Sequence, residues 1–367
     1  MNYIINTNTN WNEPPRARHQ IAYALSKKYP VKFIPANKIG FPGVKKIEIN
    51  KNLIILQPYF PIDSRLRYRL PLINELYQNW LFRKILSLLS RDDSNSRVIN
   101  SDFTAVNIFK FFKNIAYYCN DDFISNSQFT NPLSIIVKFH TRWEDEMIRK
   151  AKFCISTSDF LTKKLKEKNN NVFEIPLGAP DVSEFRVEPD LDISKKEFIN
   201  AGLIGFINCR KISVKTINYL LEHPGIKLTF IGPVDKDFMN RIEKKDRIIM
   251  KGTLTGKELY KEINNFDVAI APYNTEKINK GGTPNKLWQY IAMGKPVVVS
   301  DLPAMKSWTF PEGCIYRSSD EKFLESVLKA YETNTTDLIK KRISIADNNT
   351  WEKRVEEIVK IYDKYCK

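Results

Sequence analysis

The chain has 367 residues, of which 43% are hydrophobic and 27% charged, and its formal net charge is +16 at pH 7. That length predicts two domains rather than one core, and modest Gly and Pro contents exclude a fibrous repeat or a largely disordered chain. No apolar run approaches the ~20 residues that cross a bilayer, and the opening Met-Asn-Tyr-Ile-Ile-Asn reads as too short and polar for a secretion signal.

From the first residues, apolar runs alternating with helical stretches predict a doubly wound α/β domain. Strands are expected at 3–6, 31–34, 53–56, 98–100, 115–118, 153–156 and 172–175. Helices are expected over 16–27, within 70–89, and over 141–150 and 159–168. The polar, proline-marked stretch 176–196 breaks the pattern and reads as a linker. Alternation resumes with strands at 203–206, 227–231, 248–250, 268–271 and 297–299, and helices follow over 319–332, 335–346 and 351–365. In the last of these Val355, Ile358, Val359 and Tyr362 share one face. The expected boundaries are a first domain over 1–180, a second over 197–349, and a terminal helix within 350–367.

The surplus of cations calls for an anionic partner. Nucleic acid is not expected, because the basic residues are spread through both halves without a helix-turn-helix, zinc-finger or single-strand-binding motif. An anionic membrane surface fits better, and residues 65–91 are the strongest candidate for it. There Arg65, Arg67, Arg69, Arg83 and Lys84 accompany Trp80, Leu81, Phe82, Ile85, Leu88 and Leu89, with Glu75 as the one acid. The same stretch also reads as a helix packed on its sheet with a solvated basic side, and both readings stand. The five cysteines (Cys119, Cys154, Cys209, Cys314 and Cys366) are scattered, which argues against a zinc site or a disulfide framework and for a reducing compartment.

The most informative segment is 281–300, Gly-Gly-Thr-Pro-Asn-Lys-Leu-Trp-Gln-Tyr-Ile-Ala-Met-Gly-Lys-Pro-Val-Val-Val-Ser, which reads as loop, helix and strand. Thr283 suits the N-cap and Pro284 the first turn, while Gly294 supplies the left-handed residue that ends the helix. Backbone N–H groups of Gly282, Thr283, Pro284's neighbours and Asn285, together with the helix dipole, would favour a phosphate or diphosphate. Lys286 adds a full charge, and Gln289 lies one turn along the same face.

This segment resembles the nucleotide-diphosphate site of GT-B glycosyltransferases, including the family 4-like enzymes of capsule, exopolysaccharide and O-antigen assembly. The matching positions are Pro284, Lys286, Leu287, Tyr290, Ala292, Gly294, Lys295, Pro296, Val297 and Val298. Gln289 stands where many members carry a ribose-gripping Glu, a variant similar to that of the xanthan glucuronosyltransferase. The resemblance continues through Gly202 and Gly205, Ile231-Gly232-Pro233, Lys251-Gly252 and the run Asp-Val-Ala-Ile-Ala-Pro-Tyr ending at Tyr273. It implies an α/β fold of two facing Rossmann-like domains with a deep inter-domain cleft and a C-terminal helix crossing back to the first domain. It also implies that Arg210 and Lys211 meet the diphosphate, that the base lies near Gly252, and that Tyr273 borders the donor.

In the first half, residues after strands are the ones to read, since ligands of open α/β sheets gather at strand carboxyl ends. Arg16, Arg18 and His19 open the first helix, and arginines there are poorly matched to its dipole, so they are candidates for an anionic acceptor. Asp121 and Asp122 follow Tyr117 and Tyr118 in a pattern resembling Tyr-x-x-x-Asp-Asp of polysaccharide glycosyltransferases. An inverting transferase needs a carboxylate to take the acceptor's proton, and Asp122 is the first candidate, Asp121 the second. His140, with Glu144 one turn later, is a further substrate-binding candidate.

The expected activity is transfer of a sugar from a nucleoside diphosphate donor, UDP-linked by resemblance, to a lipid-linked saccharide in bacterial surface polysaccharide synthesis. The expected place is the cytoplasmic side of the plasma membrane, peripherally bound, with no metal or other cofactor. A nucleotide-sugar epimerase of the same architecture and a non-catalytic membrane or nucleic-acid binder are the alternatives.

Overall fold

Runs of β-branched and aromatic residues form the strands of two parallel sheets, and they are apolar on both sides because helices cover both faces. The computed structural model of the protein describes residues 1–89, 95–125, 133–187, 197–275, 279, 283–306 and 308–366. The chain divides into two units, Met1–Leu177 with Trp351–Lys367, and Gly178–Thr350.

In the first unit the strands are β1 (Tyr3–Asn6), β2 (Val31–Ile34), β3 (Lys38–Ile39), β4 (Gly43–Asn50), β5 (Leu53–Phe60), β6 (Arg97–Asn100), β7 (Asn114–Cys119), β8 (Phe153–Ser156) and β9 (Val172–Glu174). They run in the order β3-β5-β2-β1-β6-β7-β8-β9, with β4 on β5. Every residue of β1, β6, β7 and β8 is buried. The strand and helix positions agree with the sequence reading to within a few residues, except that β3 and β4 were not expected and the helix expected over 141–150 begins at Ser134. β4 reads Gly-Val-Lys-Lys-Ile-Glu-Ile-Asn and is the antiparallel edge, exposed along most of its length. Lysines there suit an edge strand, since charge discourages pairing with another chain.

The helix Pro71–Leu88 turns Tyr77, Leu81, Phe82 and Ile85 into the core, and Trp80 and Leu89 pack partly buried against it. The aromatic and aliphatic bulk singled out between 80 and 89 therefore faces the sheet, and this half of the segment is not a lipid-facing surface.

The terminal helix Trp351–Tyr365 belongs to the first unit. It buries Trp351, Val355, Ile358 and Tyr362, while Val359 is half-buried. Tyr362 is wholly enclosed and donates to the Val98 carbonyl at 2.7 Å. Its ring meets Tyr3 and Phe153 edge-on, at 5.8 and 4.8 Å. Arg97 donates to Asp363 at 2.6 Å and to the Tyr3 hydroxyl at 3.0 Å, so a buried strand residue reaches the helix's outer side.

The second unit holds β10 (Ile199–Ile204), β11 (Ile226–Ile231), β12 (Ile248–Met250), β13 (Val268–Ala271), β14 (Val297–Ser300) and β15 (Ile315–Ser318). Their order is β12-β11-β10-β13-β14-β15, parallel throughout. Strand order reverses direction between β10 and β13, which opens a crevice at their carboxyl ends. Gly202 in β10 lets the Phe266 ring press against the strand, since a Cβ there would sit 2.1 Å from it.

Replacing Tyr362 with alanine should destabilise the chain by about 3–5 kcal/mol, the range for truncating a buried aromatic. Urea unfolding measures this, and a shift under about 1 kcal/mol would show that the terminal helix is not integral to the first unit.

Candidate functional site

The crevice of the second sheet is built by three loops that follow strands. After β10, Gly205 takes φ +109°, and after β11, Gly232 takes φ +127°, both in the region that favours glycine. They also touch: a Cβ on Gly232 would lie 2.3 Å from the Gly205 carbonyl oxygen. Gly232 in turn donates to the Gly252 carbonyl at 2.7 Å, so Gly252, at φ +67°, joins the same rim. The loop after β13 is tied to the loop after β10 by Asn279, whose amide donates to the Lys211 carbonyl at 3.0 Å and the Asn274 carbonyl at 2.8 Å.

Onto this rim the helix Lys286–Ala292 brings Lys286. Tyr290 fixes the helix, its hydroxyl accepting from the Ile204 N–H at 2.8 Å. The Lys286 ammonium lies 3.4 Å from where a Gly205 Cβ would be, and 5.2 Å from the centre of the Tyr273 ring. Burial and then the nearby Lys211 lower its pKa to about 7. No carboxylate pairs with it among the described residues. The other end of the helix is held by Gly294 at φ +72° and by Arg342, which is fully buried and donates to the Gly294, Gly313 and Asn334 oxygens at 2.7–3.0 Å.

Helix formation starts later than the sequence suggested. Thr283 is not the N-cap: Asn285 precedes the first helical residue and caps nothing with its side chain. The Thr283 hydroxyl is instead buried without a partner, as expected of a polar atom that waits for a ligand or a water. Pro284 is buried and Asn285 half-buried beside it. Gly282 lies outside the described residues. Gln289 is half-buried and its side chain reaches the Tyr260 hydroxyl. Arg210 and Lys211 are exposed at the mouth of the crevice, and Tyr273 is buried in its wall.

The candidates of the first unit separate into different roles. Asp122 forms an ion pair with Lys164 at 2.8 Å and accepts from the Ser125 hydroxyl at 2.5 Å. Lys164 simultaneously bonds Glu144 at 2.8 Å, and Glu144 accepts from Tyr117 at 3.1 Å. Burial raises the Asp122 pKa, but the Lys164 charge and the bonds from Lys164 and Ser125 outweigh it, and the carboxyl is held below its ordinary value. Glu144 is more deeply enclosed, and burial wins there, raising its pKa despite Lys164. Asp121 is half-buried and accepts from the Asp122 N–H at 2.9 Å. The sequence reading missed Lys164, which stands 42 residues from Asp122 on the helix Asp159–Lys166 and carries no motif.

Arg16, Arg18 and His19 do not act together. Arg16 is exposed and pairs with Glu13 at 2.6 Å. The His19 ring serves the backbone, Nδ1 accepting from the Arg16 N–H at 3.0 Å and Nε2 bonding the Asn10 carbonyl at 3.0 Å. Burial lowers its pKa. Arg18 is buried, donates through Nε to the Ser101 hydroxyl at 2.9 Å, and has its pKa lowered by burial and then by Arg16. His140 is also buried, its Nε2 bonding the Tyr68 carbonyl at 2.9 Å, and burial lowers its pKa. The two histidines thus hold local structure in this conformation.

Residues 210–333 match the family model described as glycosyl transferases group 1. Over 232 residues the chain is 27% identical to a Bacillus subtilis (strain 168) protein named for teichuronic acid biosynthesis, the glycosyltransferase TuaH. That match covers 59% of this chain and 58% of the relative, less than two thirds of either. Sucrose-phosphate synthase from Thermosynechococcus elongatus superimposes with a TM-score of 0.75 at 13% identity, over 99% of this chain and 98% of that one. Anabaena HepE, solved in complex with UDP and glucose, gives a TM-score of 0.69 at 11% identity, over 98% and 99%. At such identities the structures speak for the fold alone. Residues 210–333 thus carry a glycosyl transferases group 1 match, and the whole chain shares its two-unit α/β fold with these solved glycosyltransferase structures.

Proposed function

We propose that the chain transfers a sugar from a nucleoside diphosphate donor, with UDP as the nucleotide, to a lipid-linked saccharide in bacterial surface polysaccharide synthesis. The observation that carries this reading is the unmatched ammonium of Lys286, crowded by Lys211 at a sheet's switch point with the unpartnered Thr283 hydroxyl in the same loop. A diphosphate supplies what these groups lack. HepE, solved with UDP and glucose, supports UDP, and the TuaH relative supports a polysaccharide product.

Where the reaction inverts, the acceptor hydroxyl gives its proton to Asp122 as its oxygen bonds to the anomeric carbon; a retaining reaction needs no separate base. The bond from that carbon to the diphosphate breaks, and its electron pair leaves with the nucleotide. Lys286 stabilises the charge as it develops, with Lys211 and Arg210 behind it. Lys164 keeps Asp122 ionised, and Asp121 is the second candidate for the base. Gln289 reaches the ribose, Gly252 backs the base, and Tyr273 borders the sugar. Arg18 is the acceptor-side cation of this reading, with Arg16 farther out. No cofactor is required.

Lys286→Ala should lower turnover by ~10²–10³-fold, as for loss of one charge-stabilising group. Binding of UDP at pH 8.5 should take up a proton, because Lys286 is then largely neutral in the free protein and the nucleotide phosphate, with a second pKa of about 6, is already ionised. Calorimetry in two buffers of different ionisation enthalpy measures the uptake, which Lys286→Met should remove. Binding without uptake would refute the placement of the diphosphate on Lys286.

The acid limb of kcat/KM should fall below the ordinary carboxylate range. In Lys164→Met it should move upward, since burial of Asp122 is then opposed by the Ser125 bonds alone. A limb that stays in place removes Asp122 as the base.

A further inference from the structure

The most exposed apolar side chains of the first unit include a group at one end of its sheet, whereas Tyr23, Ile47 and Ile49 stand elsewhere. Phe41, at the turn between β3 and β4, is 92% exposed, and Leu72 and Leu76, four residues apart on one helix, are 78% and 68% exposed. Leu66, Leu70 and Ile135 are exposed as well. β3 pairs with the last residues of β5, and the segment 64–76 follows directly from that strand. Ile135 lies in the first turn of the helix Ser134–Lys150, which follows β7. All six therefore stand at the carboxyl ends of strands, the same end that carries Asp121 and Asp122.

These segments are tied together by buried polar contacts. Asn37 donates to the Ile62 carbonyl at 2.9 Å and accepts from Arg67 at 3.3 Å, holding the β3 turn against 62–67. The His140 bond to the Tyr68 carbonyl holds the helix Ser134–Lys150 against the same turn. Arg67 is enclosed beneath, its guanidinium 3.8 Å from the Tyr77 ring centre. The exposed charges around the leucines are mostly cationic: Arg65, Arg69 and Lys138 are in solvent, with Arg65 3.7 Å from Asp63, and Glu75 is the one acid in the segment 64–76.

We infer that this face docks on an anionic lipid surface, with the leucines and Phe41 entering the headgroup boundary and the arginines meeting lipid phosphates. Exposed aliphatic side chains flanked mostly by cations fit that partner better than a second copy of a chain whose net charge is +16. The inference rests on the reading of a lipid-linked acceptor and adds which surface meets the membrane. It places the acceptor end of the first sheet against the bilayer, so a lipid-borne sugar would arrive there without leaving its membrane.

The test is flotation of the full chain, without nucleotide, on phosphatidylcholine vesicles with and without phosphatidylglycerol. The wild type should float only with the anionic lipid. Phe41→Ser/Leu72→Ser/Leu76→Ser and Arg65→Glu/Arg69→Glu should each weaken binding by roughly tenfold or more. The control Lys244→Glu/Lys245→Glu makes the same charge change in the second unit and should bind as the wild type does. Circular dichroism and UDP affinity should be unchanged in all of them, which separates this result from any failure of the donor site. Equal loss in the control, unimpaired binding in both patch variants, or no binding by the wild type would each overturn the inference. So would light scattering that shows a wild-type dimer dissolved by the apolar variant.

Discussion

A half-buried ammonium group that feels the charge of a second cation and stands 5.2 Å from the centre of an aromatic ring, with no carboxylate in reach among the described residues, costs folding free energy, and Lys286 is in that position. Its pKa is depressed from the ordinary lysine value to about 7, so between those values the unfolded chain binds more protons than the folded one. Stability therefore rises with pH through that window, and the charged form is the strained one. The surrounding architecture keeps the arrangement from relaxing. Gly205 and Gly232 bring two loops within touching distance, Tyr290 pins the helix to β10, and Arg342 closes its far end. A loop free to move would carry the lysine out to water. The helix that carries Lys286 is instead anchored through Tyr290 and at its far end.

The first unit solves the opposite problem. Its cluster of Asp122, Glu144 and Lys164 is internally matched, one cation serving two carboxylates, with burial deciding which carboxylate bears the charge more readily. The less enclosed Asp122 stays ionised and Glu144 is pushed toward neutrality. A single lysine thereby sets two carboxyl groups apart in acidity. That separation is what a proton-accepting group beside a structural one requires.

Much of the fold was legible because both sheets are parallel and buried, so their strands read as short apolar runs such as Val268–Ala271 and Val297–Ser300. The strands β3 and β4 on β5 were not, because exposed strands that carry lysine give no burial signal. The helix and strand around Lys286 were legible from Pro284 and Gly294, whose conformational requirements are local. The helix start was misread, since Thr283 has the chemistry of a cap but is placed in the wall of the crevice. Partners distant in sequence, such as Lys164 for Asp122 or Ser101 for Arg18, leave no trace in spacing. The stretch 65–91 was ambiguous for a physical reason: its apolar residues serve two surfaces, Leu81 and Phe82 inward and Leu72 and Leu76 outward.

The return of the terminal helix to the first unit makes the second unit an insertion within it. The two crossings run side by side, Ala179 bridging Thr350 and donating to the Asn349 carbonyl at 2.8 Å. During synthesis the ribosome must therefore deliver the whole of Gly178–Thr350 before the first unit can receive Trp351, Ile358 and Tyr362. Until then the first unit lacks the side chains that pack against Tyr3 and Phe153, while every residue of the second unit has already been made. Order of manufacture and order of completion are reversed in this chain, and its last residues act as the latch.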